Sequence, residues 1–225
     1  MRTARSTGKA QPKRSEIAEW NENFDIASLE HLRSGDATLG ALIDRVGPYR
    51  IQFREPTFWS LARSIVFQQL NGRAASTIFE RLERVCGEKG VTPESILRLR
   101  PVRMRGAGIS PQKTLYLKDL ARRTISGEIR FEQMRQLADE EIIERLTQVK
   151  GVGVWTVHMF LIFALRRPDV LPVGDYGIRT AVQKLYRLEE LPKPEGMERI
   201  AQPWRPWASV ACWYLWRSLD GDAEL

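Results

Sequence analysis

The chain has 225 residues, 43% of them hydrophobic and 28% charged, and its 35 basic against 28 acidic side chains give a formal charge of +7. That is enough material for one globular domain or two small lobes; with no apolar run near the roughly 20 residues that span a bilayer and no apolar secretory stretch in MRTARSTGKAQPKR, it reads as a cytoplasmic, bacterial-type protein without membrane partners. Two distant cysteines, Cys86 and Cys212, and two histidines, His31 and His158, exclude a four-cysteine cluster or a histidine-rich metal site built from this chain alone. Any chemistry must come from carboxylates, hydroxyls, aromatics or backbone.

Residues 1–15 read as a disordered basic tail, with five basic and no acidic side chains in the first 14. Residues 16–225 hold the fold, and helical periodicity dominates them. Asp36 is placed to cap a helix whose Leu39, Leu42, Ile43 and Val46 follow the i, i+3, i+4, i+7 pattern, and Gly47-Pro48 stops it. Residues 49–54 alternate at period two, the only strand-like segment. An apolar stripe from Phe58 to Val66 breaks at Asn71-Gly72 and resumes from Ala75 to Cys86. Thr92-Pro93 and Ser110-Pro111 have the cap-then-proline order of helix starts, Gly106-Ala107-Gly108 marks a turn between them, and Gly127 closes the second helix. This stretch, 98–123, sets Arg98, Arg100, Arg103, Arg105, Lys113, Lys118, Arg122 and Arg123 against a single acid, Asp119. Such a patch either lies along a polyanion or is a solvated face.

Asp139 is placed to cap a helix carrying Ile142, Ile143 and Leu146. Lys150-Gly151-Val152-Gly153 ends it, and the next helix runs from Val154 to Leu165. After a loop bracketed by Pro168 and Pro172, Asp175 stands in N-cap position for a helix with Ile178, Val182 and Leu185. A tryptophan-rich helix from about Pro206 to Ser218 closes the fold. The expected fold class is all-α.

Two glycines separated by one residue make a sharp turn between helices, and the second helix offers its unpaired N–H groups to an anion. By itself this is an ordinary helix corner, and Asp175 by itself is a helix cap or a catalytic carboxylate. The hairpin followed by Asp175, the segment FWSLARSIVFQQLNGRAASTIFER, the helix GISPQKTLYLKDLA and the final WRPWASVACWYLW occur in order over about 55–218. Together they resemble the helix-hairpin-helix DNA glycosylases, the HhH-GPD superfamily, and within it the 3-methyladenine DNA glycosylase II branch.

The resemblance implies two helical lobes with a cleft between them, acting as a monomer on double-stranded DNA with damaged bases and needing no cofactor. Asp175 would be the essential aspartate, stabilising the oxocarbenium-like sugar left when a flipped base departs. Trp155, Met159, Trp216 and Tyr176 would line the base pocket, Met159 standing where a relative carries tyrosine. Leu70 and Asn71 would wedge into the vacated stack, and Lys150, Gly151 and Gly153 would meet the DNA backbone. The carbonyls of Thr147, Val149 and Val152 would hold a monovalent cation, sodium or potassium, bridging to phosphate. Relatives with lyase activity carry a lysine where this chain has Trp155, so a monofunctional enzyme excising alkylated bases of the 3-methyladenine or 7-methylguanine type is expected. Competing readings are a glycosylase of the same fold for deaminated, etheno or oxidised bases, and a non-catalytic DNA-binding hairpin.

Overall fold

Residues 22–70 and 72–219 are described by the computed structural model, and the regular elements among them are all helical. The basic tail at 1–15 and Asn71 lie outside the described residues. The helices are α1 (Glu22–Gly35), α2 (Ala37–Val46), α3 (Phe58–Phe67), α4 (Gly72–Cys86), α5 (Pro93–Arg98), α6 (Pro101–Gly106), α7 (Pro111–Ile125), α8 (Asp139–Thr147), α9 (Val154–Phe163), α10 (Tyr176–Leu185), α11 (Pro194–Ala201) and α12 (Ala208–Arg217). Short 3-10 turns cover Phe131–Gln136 and Gln202–Trp204.

Local chemistry sets many of the boundaries. The Asp36 carboxylate accepts the Leu39 N–H at 3.0 Å, and Thr92 and Ser95 form a reciprocal capping box at the start of α5. Ser110 Oγ accepts the Lys113 N–H at 3.2 Å, with Pro111 in the first helical position of α7. Asp139, by contrast, is not a cap. It is the first residue of α8, Ala138 occupies the cap position without a side-chain bond, and the Asp139 carboxylate faces Arg167 Nε at 2.9 Å, off the hydrogen-bonding axis. Burial pushes its pKa up, and the Arg167 guanidinium only partly opposes this.

Residues 49–54 form no strand. Tyr49, Ile51 and Phe53 are partly buried while Arg50 and Gln52 are exposed, and Arg54 N–H donates to Phe163 O at 2.8 Å. The alternation has a different cause: the segment is an extended connector between two cores, and Ile51 packs against both. One core draws on α3 to α9, with Leu61, Ile65, Leu82, Leu117 and Phe160 among its buried side chains. The other joins Leu32, Leu39, Leu42 and Ile43 from α1 and α2 to residues between 171 and 215, most of them from α10, α11 and α12. Its lobe is therefore discontinuous in the chain. Trp216 touches both cores.

Candidate active site

The turn at 148–153 joins α8 to α9 and is closed by two backbone bonds, Val149 N–H to Leu146 O at 3.1 Å and Val152 N–H to Val149 O at 3.0 Å. Gly151 has φ +75, and a Cβ there would lie 2.1–2.4 Å from three ring carbons of Tyr116, so both backbone conformation and space demand glycine. Asp119 braces the turn from α7, accepting the Lys150 N–H at 3.0 Å and Arg123 Nε at 3.2 Å through Oδ2. Burial works to raise the Asp119 pKa, but the Lys150 N–H and Arg123 outweigh it and hold the carboxyl below its usual range. The Lys150 residue is exposed. Gly153 differs from Gly151: a Cβ there would meet nothing within 4 Å, and as the cap residue of α9 it supplies no side-chain bond. Gly153, Val154 and Trp155 are all exposed, so an anion can approach the first turn of α9.

Asp175 is 7% exposed at the N-terminus of α10. Its Oδ1 accepts the Ile178 N–H at 2.8 Å and the Trp216 indole N–H at 3.2 Å, while its Oδ2 accepts the Trp155 indole N–H at 2.6 Å. Three donors from α9, α10 and α12 therefore meet on one carboxylate. A carboxylate has about four acceptor positions, so one on Oδ2 is left for a further partner.

The aromatic surroundings divide by exposure. Trp155 is 40% exposed at the start of α9. Trp216 is half-buried and stacks on Phe163, ring centroids 5.7 Å apart and planes 27° apart. Met159 lies one turn beyond Trp155 and packs against the first core. Tyr176 follows Asp175 and is 72% exposed.

His158, also on α9, is half-buried, and burial pushes its pKa below the ordinary 6.5. A base whose folded-state pKa is depressed costs nothing above its unfolded value and destabilises the fold as pH falls below that value, because the unfolded chain takes up the proton first. His158→Gln is accordingly expected to flatten the fall of Tm as pH drops below the ordinary imidazole value of 6.5. Parallel melting profiles for the two proteins would assign the acid sensitivity elsewhere.

At the end of α3 the chain reverses through Gln69, whose φ is +55, and presents Leu70, 40% exposed. Leu70, Lys113, Tyr116, Gly151, Gly153 and Trp155 line one cleft of about 510 Å³. The structure thus brings Leu70, the two hairpin glycines and Trp155 to one opening, with Asp175 behind the Trp155 indole. Three contributors escape a reading of the sequence. Tyr116, against which Gly151 packs, and Asp119, which holds the turn, act across long sequence separations. Gln68 reaches 83 residues along the chain to donate to Gly151 O at 2.9 Å. The Gly-Val-Gly pattern and the lone acid in the basic stretch were the available signals.

Comparison with known proteins fits this geometry. A family model described as HhH-GPD superfamily base excision DNA repair protein matches residues 62–206. The chain is 39% identical over 194 residues to DNA-3-methyladenine glycosylase 1 of Schizosaccharomyces pombe, covering 84% of this chain and 85% of that protein. Its fold is similar to that of an S. pombe 3-methyladenine DNA glycosylase solved in complex with abasic DNA, with TM-score 0.81 and 36% identity over 88% of this chain and 99% of the other. A DNA-3-methyladenine glycosidase from Bacillus halodurans matches with TM-score 0.74 and 34% identity, covering 85% and 88% of the two chains.

Proposed function

Because the chain belongs to the HhH-GPD superfamily of base excision DNA repair proteins, we propose that it is a monofunctional DNA glycosylase that excises alkylated bases and acts as a monomer on double-stranded DNA. The observation that carries this is Asp175, a carboxylate nearly out of solvent, held by two indole N–H groups and its own helix N-terminus. A packing role would be served by an apolar side chain; three converging donors orient an anion.

The mechanism follows from that arrangement. Leu70 and Asn71 enter the stack as the base swings out, and the hairpin at Lys150, Gly151 and Gly153 anchors the neighbouring phosphate. An alkylated purine such as 3-methyladenine or 7-methylguanine carries positive charge, which suits it to the electron-rich faces of Trp155 and Trp216 beside Met159. Cleavage of the N-glycosidic bond sends the bonding pair to the base, which leaves neutral, and the positive charge passes to the sugar. Asp175 stabilises that charge, water adds at C1′, and the carboxylate accepts the proton released. The products are the free base and an abasic site.

The carbonyls of Thr147, Val149 and Val152 are the groups that would hold a sodium or potassium ion at the hairpin. Val149 O already accepts the Val152 N–H at 3.0 Å and keeps a second lone pair. When bound, such an ion supplies positive charge next to phosphate.

The direct test incubates the protein with methylated duplex DNA. Release of 3-methyladenine or 7-methylguanine is expected, leaving alkali-sensitive abasic sites, with no covalent adduct on borohydride reduction. A trapped adduct would establish a lyase and overturn the monofunctional reading. Binding without release of either base would point to another lesion or to a non-catalytic hairpin.

A further inference from the structure

The loop that carries Leu70 is fastened from two sides by the side chains of Lys113 and Gln68. From α7, Lys113 Nζ donates to Val66 O at 2.7 Å and to Gln68 O at 2.8 Å, setting a cation on the C-terminal carbonyls of α3, where the helix dipole favours it. From the loop itself, Gln68 Nε2 donates to Gly151 O at 2.9 Å and to Thr156 Oγ1 at 2.9 Å, so both amide hydrogens are spent on the hairpin and the first turn of α9. Between these anchors Gln69 takes the left-handed φ of +55, a conformation that costs a non-glycine residue energy unless its surroundings enforce it. Lys113 is therefore not part of the solvated basic face its neighbours suggest. Burial lowers its pKa, in keeping with an ammonium turned inward onto carbonyls.

We propose that Gln68 and Lys113 form a latch that sets the Leu70 tip at a fixed distance from the hairpin and from Trp155, making both of them positioning residues for base flipping. This rests on the glycosylase reading above. Leu70 and Trp155 line the same cleft, so the wedge and the pocket wall must be set together before DNA arrives. A loop left to order itself on the DNA would charge that ordering against each flip. Lys113 contributes through the loop backbone and touches no phosphate.

The test compares the wild-type protein with Lys113→Met, Gln68→Leu and Lys113→Arg. For Lys113→Met, single-turnover excision from a fully paired duplex is expected to fall about tenfold. The loss should shrink to about threefold or less when the lesion faces an abasic position, where extrusion is cheap. The logarithmic salt dependence of duplex binding should be unchanged, because no phosphate contact is lost. Gln68→Leu should behave alike, the double variant should be no worse than the poorer single one, and Lys113→Arg should recover most of the rate.

A second readout does not depend on catalysis. 2-Aminopurine beside an abasic analogue should brighten on binding the wild-type protein, as the wedge unstacks it, and brighten much less with Lys113→Met. A salt slope reduced by about one would make Lys113 a phosphate contact and overturn the latch. So would an equal rate loss on paired and unpaired lesions, or undiminished fluorescence. A wild-type protein that excised no base would sink the glycosylase reading instead, and the fluorescence comparison would still decide the latch.

Discussion

Asp175→Asn is expected to lower single-turnover excision by about two to three orders of magnitude while leaving affinity for duplex DNA within about threefold. The substitution keeps the shape and one oxygen, so the helix cap on Ile178 N–H can survive. It removes the negative charge that faces the developing sugar cation. It also sets an NH₂ donor against an indole donor: with the amide oxygen on Ile178 and Trp216, the amide nitrogen meets Trp155, and turning the group over moves the conflict to the other side. An indole N–H left without its acceptor costs about 1–3 kcal/mol, so a lower Tm is expected as well. Binding and melting must therefore be measured on the same preparation. A variant that melts lower yet excises at the parental rate would show that the carboxylate only caps α10.

Gly151→Ala is expected to weaken duplex binding by at least about tenfold and to lower Tm by about 5–10 °C. Two costs combine. A left-handed backbone costs an L-residue about 1–2 kcal/mol, and the new Cβ would sit 2.1 Å from a Tyr116 ring carbon. That ring is packed against the first core, and its OH accepts Gln112 Nε2 at 2.6 Å, so its room to move is small. The turn must move instead, which strains the Lys150 bond to Asp119 and the Gln68 bond to Gly151 O. Adding Tyr116→Ala should remove the steric part and leave the backbone part. Gly153→Ala supplies the contrast, because its Cβ meets no protein atom within 4 Å. It should change Tm much less and act mainly on DNA affinity. Equal destabilisation by the two alanines would mean that the Tyr116 contact does not govern the turn.

Much of the site could be read from residues close together in sequence. Asp175 announces itself as a cap by standing after Gly174 and just before a helical apolar stripe, and the hairpin by two glycines between two such stripes. The contacts that give these residues their surroundings were hidden, because nothing local to Trp155 shows that its indole N–H will meet a carboxylate 20 residues away. Lys113 was misleading for a physical reason. A lysine among arginines on an amphipathic helix has the composition of a solvated face, and only the end of α3 packed beside it turns the ammonium inward.

The period-two pattern at 49–54 was likewise true but misattributed. Alternation records which side chains are buried, and a connector squeezed between two cores satisfies it as well as a strand does. α11 carries ordinary helix signals, with Pro194 at its start, Glu195 in its first turn and the buried pair Met197 and Ala201, but it is hard to see in the sequence. Its eight residues are too few for periodicity to stand out.

The divided lobe has a consequence for how this protein comes into being. Asp36 joins Tyr186 OH and the Trp204 indole N–H, the latter at 2.9 Å and 168 residues away, while Tyr214 OH reaches back to Gly47 O at 2.9 Å. During synthesis α1 and α2 emerge well before α10, α11 and α12, which supply the surfaces that bury Leu39, Leu42 and Ile43. The middle of the chain can condense around its own core in the interval. Until then α1 and α2 can cover only part of each other's apolar faces, a window in which chaperones and aggregation compete for them.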